Sequence, residues 1–156
     1  MSVRLVDLLS MLFVSTSAIG DKSGANYPDD FGNIPEEGYN SLAEPQRIAY
    51  CIFWLEAEVN NGGFHQFFHN PSGLRTPDTL KALDAIGAQK TKELLRGASA
   101  AAYENGFPPD PTNHQDLLQD DDATVDRLDE LDARFFMYED DLTALVNKFL
   151  EKSKKQ

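Results

Sequence analysis

Cysteine occurs once, at Cys51, so neither an intramolecular disulfide nor a cysteine-based zinc cluster can form within the chain. Basic residues are scarce: 14 Lys+Arg stand against 26 Asp+Glu, a formal charge of −12. Free nucleic acid and anionic membrane surfaces repel such a chain at long range, so direct contact with either is not expected. A basic protein is its natural electrostatic complement. No run reaches the ~18–20 uninterrupted apolar residues of a membrane span. The opening, MSVRLVDLLSMLFVSTSAIG, has the outline of a signal peptide. Asp7 interrupts its apolar run, however, and Val3, Val6, Leu9 and Phe13 recur at helical spacing. An ordinary first helix and a cytoplasmic location are the expectation. No G-x-S-x-G elbow occurs, and no lysine follows Gly62-Gly63 as it would in a P-loop. No segment alternates with period two, and no internal repeat is present.

What is there suits one helical domain. The 156 residues are 41% hydrophobic and 10% aromatic, enough to bury a core. Residues 1–43 read as an N-terminal helix and a long Gly/Asn/Asp/Pro-rich loop packed on the body, with Tyr27, Phe31 and Tyr39 available to pin the loop. Residues 44–152 read as the helical domain proper, and 153–156 as a tail. From Glu44, the positions Ile48, Cys51, Ile52, Leu55 and Val59 form one stripe of a 3.6-residue helix, and off-stripe Phe53 and Trp54 mark this helix as the most buried. A short helix is expected over 64–69. Thr76-Pro77-Asp78 reads as a helix start with Thr76 as N-cap, and Gly87 as a left-handed stop. A helix over 89–104 follows, then a proline-rich break at Pro108, Pro109 and Pro111, then helices over 122–135 and 140–152. The fold class is all-α.

Two stretches concentrate chemistry. The first is Glu58 to Asn70, EVNNGGFHQFFHN. His65 and His69 share one helical face, as paired zinc ligands do, but Gln66 stands where a metalloprotease carries its general-base Glu, and no third ligand is near in sequence. A small metal-dependent enzyme built on these histidines is the alternative from another class; the preferred reading is not an enzyme and needs no metal or cofactor. Asn61, Gly62 and Gly63 tolerate positive φ and suit a sharp corner, with Phe64, Phe67 and Phe68 anchoring the next turn.

The second stretch is acidic. Residues 116–141 carry 11 carboxylates against Arg127 and Arg134, a net of 2 − 11 = −9. On a helix, Val125, Leu128, Leu131 and Phe135 cluster on one side, while Asp122, Asp126, Asp129 and Glu130 gather on the other. Like charges so spaced cost helix stability, and a purely structural helix would more often mix the signs. Asp132 falls within the apolar arc, where a buried carboxylate needs donors. Arg47 and the groups of the 60–63 corner are candidates.

The block Trp54-Leu55-Glu56-Ala57-Glu58-Val59-Asn60-Asn61-Gly62-Gly63-Phe64-His65-Gln66-Phe67-Phe68, followed by Asn70-Pro71-Ser72-Gly73, closely resembles the signature of the DNA-mimic protein family of bacteria. Residues 82–88 and 128–135 resemble its later blocks. The resemblance covers residues 44 to 152. It implies an all-helical fold and an acidic surface that imitates the phosphate array of DNA and occupies the DNA-binding face of a regulator. Within it, Trp54, Glu58, Asn60, Asn61, Gly62, Gly63, Phe64, Gln66, Phe67 and Asp132 are the structural signature. The expected partner surface is Asp120, Asp121, Asp122, Asp126, Asp129 and Glu130, extended by Asp140 and Asp141, and the expected partner a basic DNA-binding protein. An immunity or antitoxin protein masking a basic toxin uses the same electrostatics and is the alternative within binding functions. A homodimer is left open.

Overall fold

The computed structural model describes residues 36–155. The expected N-terminal helix, and the loop as far as residue 35 with Tyr27 and Phe31, lie outside the described residues. Within them the chain forms six α-helices and no strand, the all-α class expected: α1 Glu36–Ser41, α2 Glu44–His69, α3 Thr76–Ile86, α4 Gln89–Ala102, α5 Asp122–Phe135 and α6 Leu142–Ser153. Short 3-10 turns occupy Pro71–Arg75 and Pro111–Asn113. No helix among the described residues is long and apolar enough to cross a membrane.

α2 is the hub, because it is apolar over most of its circumference. Ile52, Leu55, Val59, Phe64, Phe67 and Phe68 are fully buried along it. Around them pack Leu83 of α3, Leu95 of α4, Leu128 of α5, and Leu142 and Val146 of α6, so every later helix contributes to one core. Phe68 meets Tyr103 edge-on at 5.4 Å, and Phe64 meets Phe135 at 5.7 Å. These T-shaped contacts place the positive ring edge on the negative face of its neighbour.

Local chemistry sets the helix ends, with three departures from expectation. α1 forms inside the stretch read as loop, and the buried Tyr39 fixes it: its hydroxyl donates to Asp78 Oδ2 at 3.1 Å and lies 3.3 Å from Cys51 Sγ. Thr76 is not an N-cap. The 3-10 turn runs directly into α3, so Thr76 is already helical and buried, and its hydroxyl donates to Gly73 O at 2.8 Å. Val125 is exposed and Thr124 takes its place in the buried arc, because the arc centres one residue earlier and Asp121 satisfies the threonine hydroxyl. Gly87 does stop α3: its φ of 81° lets Ala88 N–H reach Leu83 O and Gly87 N–H reach Asp84 O.

Candidate functional site

The corner in EVNNGGFHQFFHN is a kink within α2. Of its small residues only Gly63 has positive φ, at 74° with ψ −177°, a region that essentially only glycine occupies. Gly62, at φ −159° and ψ 27°, and Asn61 lie outside the positive region, so of three residues that tolerate it the corner uses one. The reason for Gly62 is steric: a Cβ there would fall on the side chain of Gln66.

Two acidic side chains hold this kink. Glu58 is 7% exposed and spans it. Its Oε2 accepts from Gln66 Nε2 at 2.7 Å and from Asn70 Nδ2 at 2.9 Å, and its Oε1 accepts from Ser72 Oγ at 3.0 Å. Asp132, half-buried on α5, accepts from Phe64 N–H at 2.8 Å. The donor is thus the first amide beyond the corner rather than Arg47 or a group of residues 60–63. Renewed winding after the kink leaves that amide without an intrahelical partner, which is why a carboxylate from another helix fits. Burial pushes the Asp132 carboxyl above the ordinary carboxylate range, and the Phe64 hydrogen bond opposes that shift without reversing it. A Cβ on Gly63 would fall on Asp132 Oδ2, so the glycine, the carboxylate and the amide form one interlocked unit. Asn60 Nδ2 joins the same side, donating to Tyr138 Oη at 2.6 Å. Trp54 packs edge-on against Phe53 at 5.4 Å.

The acidic stretch divides into two jobs. Asp121 is the N-cap of α5: it accepts from Thr124 N–H at 3.1 Å and from the Thr124 hydroxyl at 2.8 Å, which hold its carboxyl below the usual range. Asp141 caps α6 through Ala144 N–H at 3.0 Å, and Asp140 reaches across to Thr91 N–H in the first turn of α4 at 2.7 Å. These three are tied to helix starts. Asp120, Asp122, Asp126, Asp129 and Glu130 are exposed. Asp120 lies 3.3 Å from His65 Nε2, and Glu130 pairs with Arg127 at 2.6 Å, both at the surface where such pairs contribute little.

The exposed carboxylates of α5 line one face. At 1.5 Å rise per residue, Asp122 to Glu130 span about 12 Å of axis and carry four carboxylates, about 4 Å apart on average. One strand of duplex DNA carries a phosphate per about 3.4 Å of axis. The opposite face of α5 buries Thr124, Leu128, Leu131 and Phe135, so the helix cannot turn its acids inward.

His65 and His69 lie side by side on the second half of α2. Their rings stack at 6.1 Å, and among the described residues no group of three or more His, Cys, Asp or Glu is placed to hold an ion. His114, which sequence spacing left without a role, is 3% exposed and sits between Pro111 O at 2.8 Å and Asn70 O at 3.4 Å, fastening the proline-rich loop to the end of α2. Only its neighbourhood to three prolines hinted at such anchoring.

Fold and surface together define an acidic, all-helical module. The family model described as DMP19-like protein matches residues 40–153, and the chain belongs to this family, which is of the DNA-mimic, non-enzymatic kind. No curated protein and no solved structure matches the chain at a significant level.

Proposed function

We propose that this protein competes with DNA for the basic DNA-binding surface of a regulator or another DNA-binding protein, using the outward face of α5. The observation that carries this reading is the exposed row Asp122, Asp126, Asp129 and Glu130, with Asp120 beside it, on a helix whose other face is locked in the core. Its carboxylates have an average axial density close to that of phosphates along one DNA strand, and a Lys/Arg array that neutralises phosphates attracts them by the same Coulomb force. Asp121, Asp140 and Asp141 add to the local field, but each has a carboxylate oxygen occupied by a helix start. Family membership supports the reading, because the chain is of the DNA-mimic kind.

The test is capture of cellular proteins on the purified chain at low and at high salt, with the bound proteins identified. A basic DNA-binding protein released as salt rises is expected, since screening at 0.1 M ionic strength acts beyond about 10 Å. Neutralising Asp122, Asp126, Asp129 and Glu130 to Asn or Gln should weaken binding about tenfold or more while helical content stays intact. Undiminished affinity after neutralisation would sink the proposal.

A further inference from the structure

The face that carries the acids does not end with them. Backbone winding continues past α5: Phe136 N–H bonds to Asp132 O, Met137 N–H to Arg134 O and Tyr138 N–H to Phe135 O. At roughly 100° per residue, Phe136 and Met137 project onto the same side as Asp122, Asp126, Asp129 and Glu130. Phe136 is 49% exposed, Met137 70% and Tyr138 41%. Three consecutive large apolar residues at such exposure are an exception on a surface this charged, and they lie between the acids of α5 and Glu139-Asp140-Asp141.

The backbone here is specially shaped. Tyr138 has φ 48° and is the sole non-glycine residue with positive φ among those described. A bulky side chain adopts that region only when its surroundings hold it there. They do: the Tyr138 ring packs on Phe135 at 5.7 Å, and its hydroxyl is bonded by Asn60. Phe136 in turn meets Phe135 edge-on at 6.3 Å. The exposed pair is therefore carried on a turn fixed to the core and to the α2 kink, which limits the entropy lost on binding.

We propose that Phe136 and Met137 form an apolar anchor within the acidic face, which inserts between the cations of a basic DNA-binding protein. The inference rests on the DNA-competition reading and extends it. Carboxylates at both ends of the turn select a partner whose basic groups surround a small apolar socket. Exposed charge pairs contribute little each and fade with salt, whereas a desolvated aromatic or thioether anchor contributes much and is insensitive to salt. DNA has no equivalent of this side-chain pair, so the anchor is where a mimic gains over the molecule it displaces.

The experiment places a photo-crosslinking p-benzoyl-phenylalanine at position 137, and separately at exposed Leu117, in the full chain inside the cell. The basic protein joined at position 137 is purified and titrated across a salt series with the wild type, with F136A/M137A, and with the four-site neutralised variant. Expected are a cross-link from 137 and not from 117, binding by F136A/M137A weakened about thirtyfold with the salt slope unchanged, and a reduced slope for the neutralised variant. If neutralisation weakens binding but F136A/M137A binds as the wild type does, the anchor is overturned and DNA competition stands. If neutralisation leaves affinity and slope intact, the DNA-competition reading itself falls. Cross-linking of position 137 to a second copy of this chain, or to no basic protein, overturns the anchor as well. Both substituted residues are exposed, and an unchanged helical signal separates loss of contact from loss of fold.

Discussion

The kink of α2 and the outer face of α5 both depend on carboxylates, and they use them in opposite ways. At the kink, Glu58 accepts three side-chain hydrogen bonds and Asp132 a backbone one, so each acid is consumed in holding two pieces of chain together. On α5, Asp122, Asp126 and Asp129 are exposed, and their mutual repulsion weakens the helix that carries them. Internal satisfaction makes an acid structural; exposure in a like-charged row leaves it available to another molecule. Asp129 and Asp132 lie only three residues apart, yet helical projection puts the first on the acidic side and the second in the apolar arc.

That contrast is open to attack at the kink first. Gly63→Ala should be the most damaging single change, because the new methyl meets Asp132 and the backbone sits where alanine is strained. We expect a loss of about 3 kcal/mol or more in urea-unfolding stability. A loss below 1 kcal/mol would mean that the corner relaxes freely and that Gly63 is not required. Glu58→Ala comes next. It strands the Gln66, Asn70 and Ser72 donors, of which only part can turn to water, and should cost about 2–3 kcal/mol by the same measurement. The face of α5 should behave in the reverse sense. Replacing Asp122, Asp126, Asp129 and Glu130 by Asn or Gln removes like-charge pairs worth a few tenths of a kcal/mol each, offset in part by loss of the Arg127–Glu130 pair. Thermal unfolding of that variant should rise slightly or stay level, and a marked drop would place those acids in a structural role.

Much of this was legible in advance. The 3.6-residue stripe of α2, the left-handed stop at Gly87 and the limits of α5 follow from periodicity and capping chemistry, which are local. What escaped was set by contacts distant in sequence. Phe64 N–H finds its acceptor 68 residues later: the apolar arc marks Asp132 as needing a donor, but no local pattern names this amide as the donor. The cap at Thr76 failed because the preceding turn was already wound, a fact carried by the packing of residues 70–75 and not by Thr-Pro-Asp. Asp140 looked like one more surface acid, yet it caps α4 across 49 residues. The acidic row was legible because amphipathic patterning sorts the two faces of a helix whatever its neighbours are. The exposed pair Phe136-Met137 was not, since apolar residues at a helix end ordinarily signal burial.

The smallest expected effect tests the sign of burial at Asp132. Its carboxyl is raised by desolvation, so ionisation is harder in the folded chain than in the unfolded one. Stability from this group is then fully present below the ordinary carboxylate range and is lost as pH rises through the folded-state value. Asp132→Asn removes the ionisation while its amide oxygen can still accept from Phe64 N–H. The stability difference, wild type minus Asp132→Asn, should therefore decline over a window that opens near the ordinary carboxylate value, about pH 4, and closes above the raised folded-state value. Glu56 is raised by burial too, but it is common to both proteins and cancels in the difference. Because Asp132 is only half-buried, solvent screening should keep the decline small. Urea titrations of both proteins at several pH values within that window give the answer. A difference that grows with pH would mean that the amide of Phe64 and the positive end of the restarted helix outweigh desolvation, making the ionised carboxylate the favoured form at the kink.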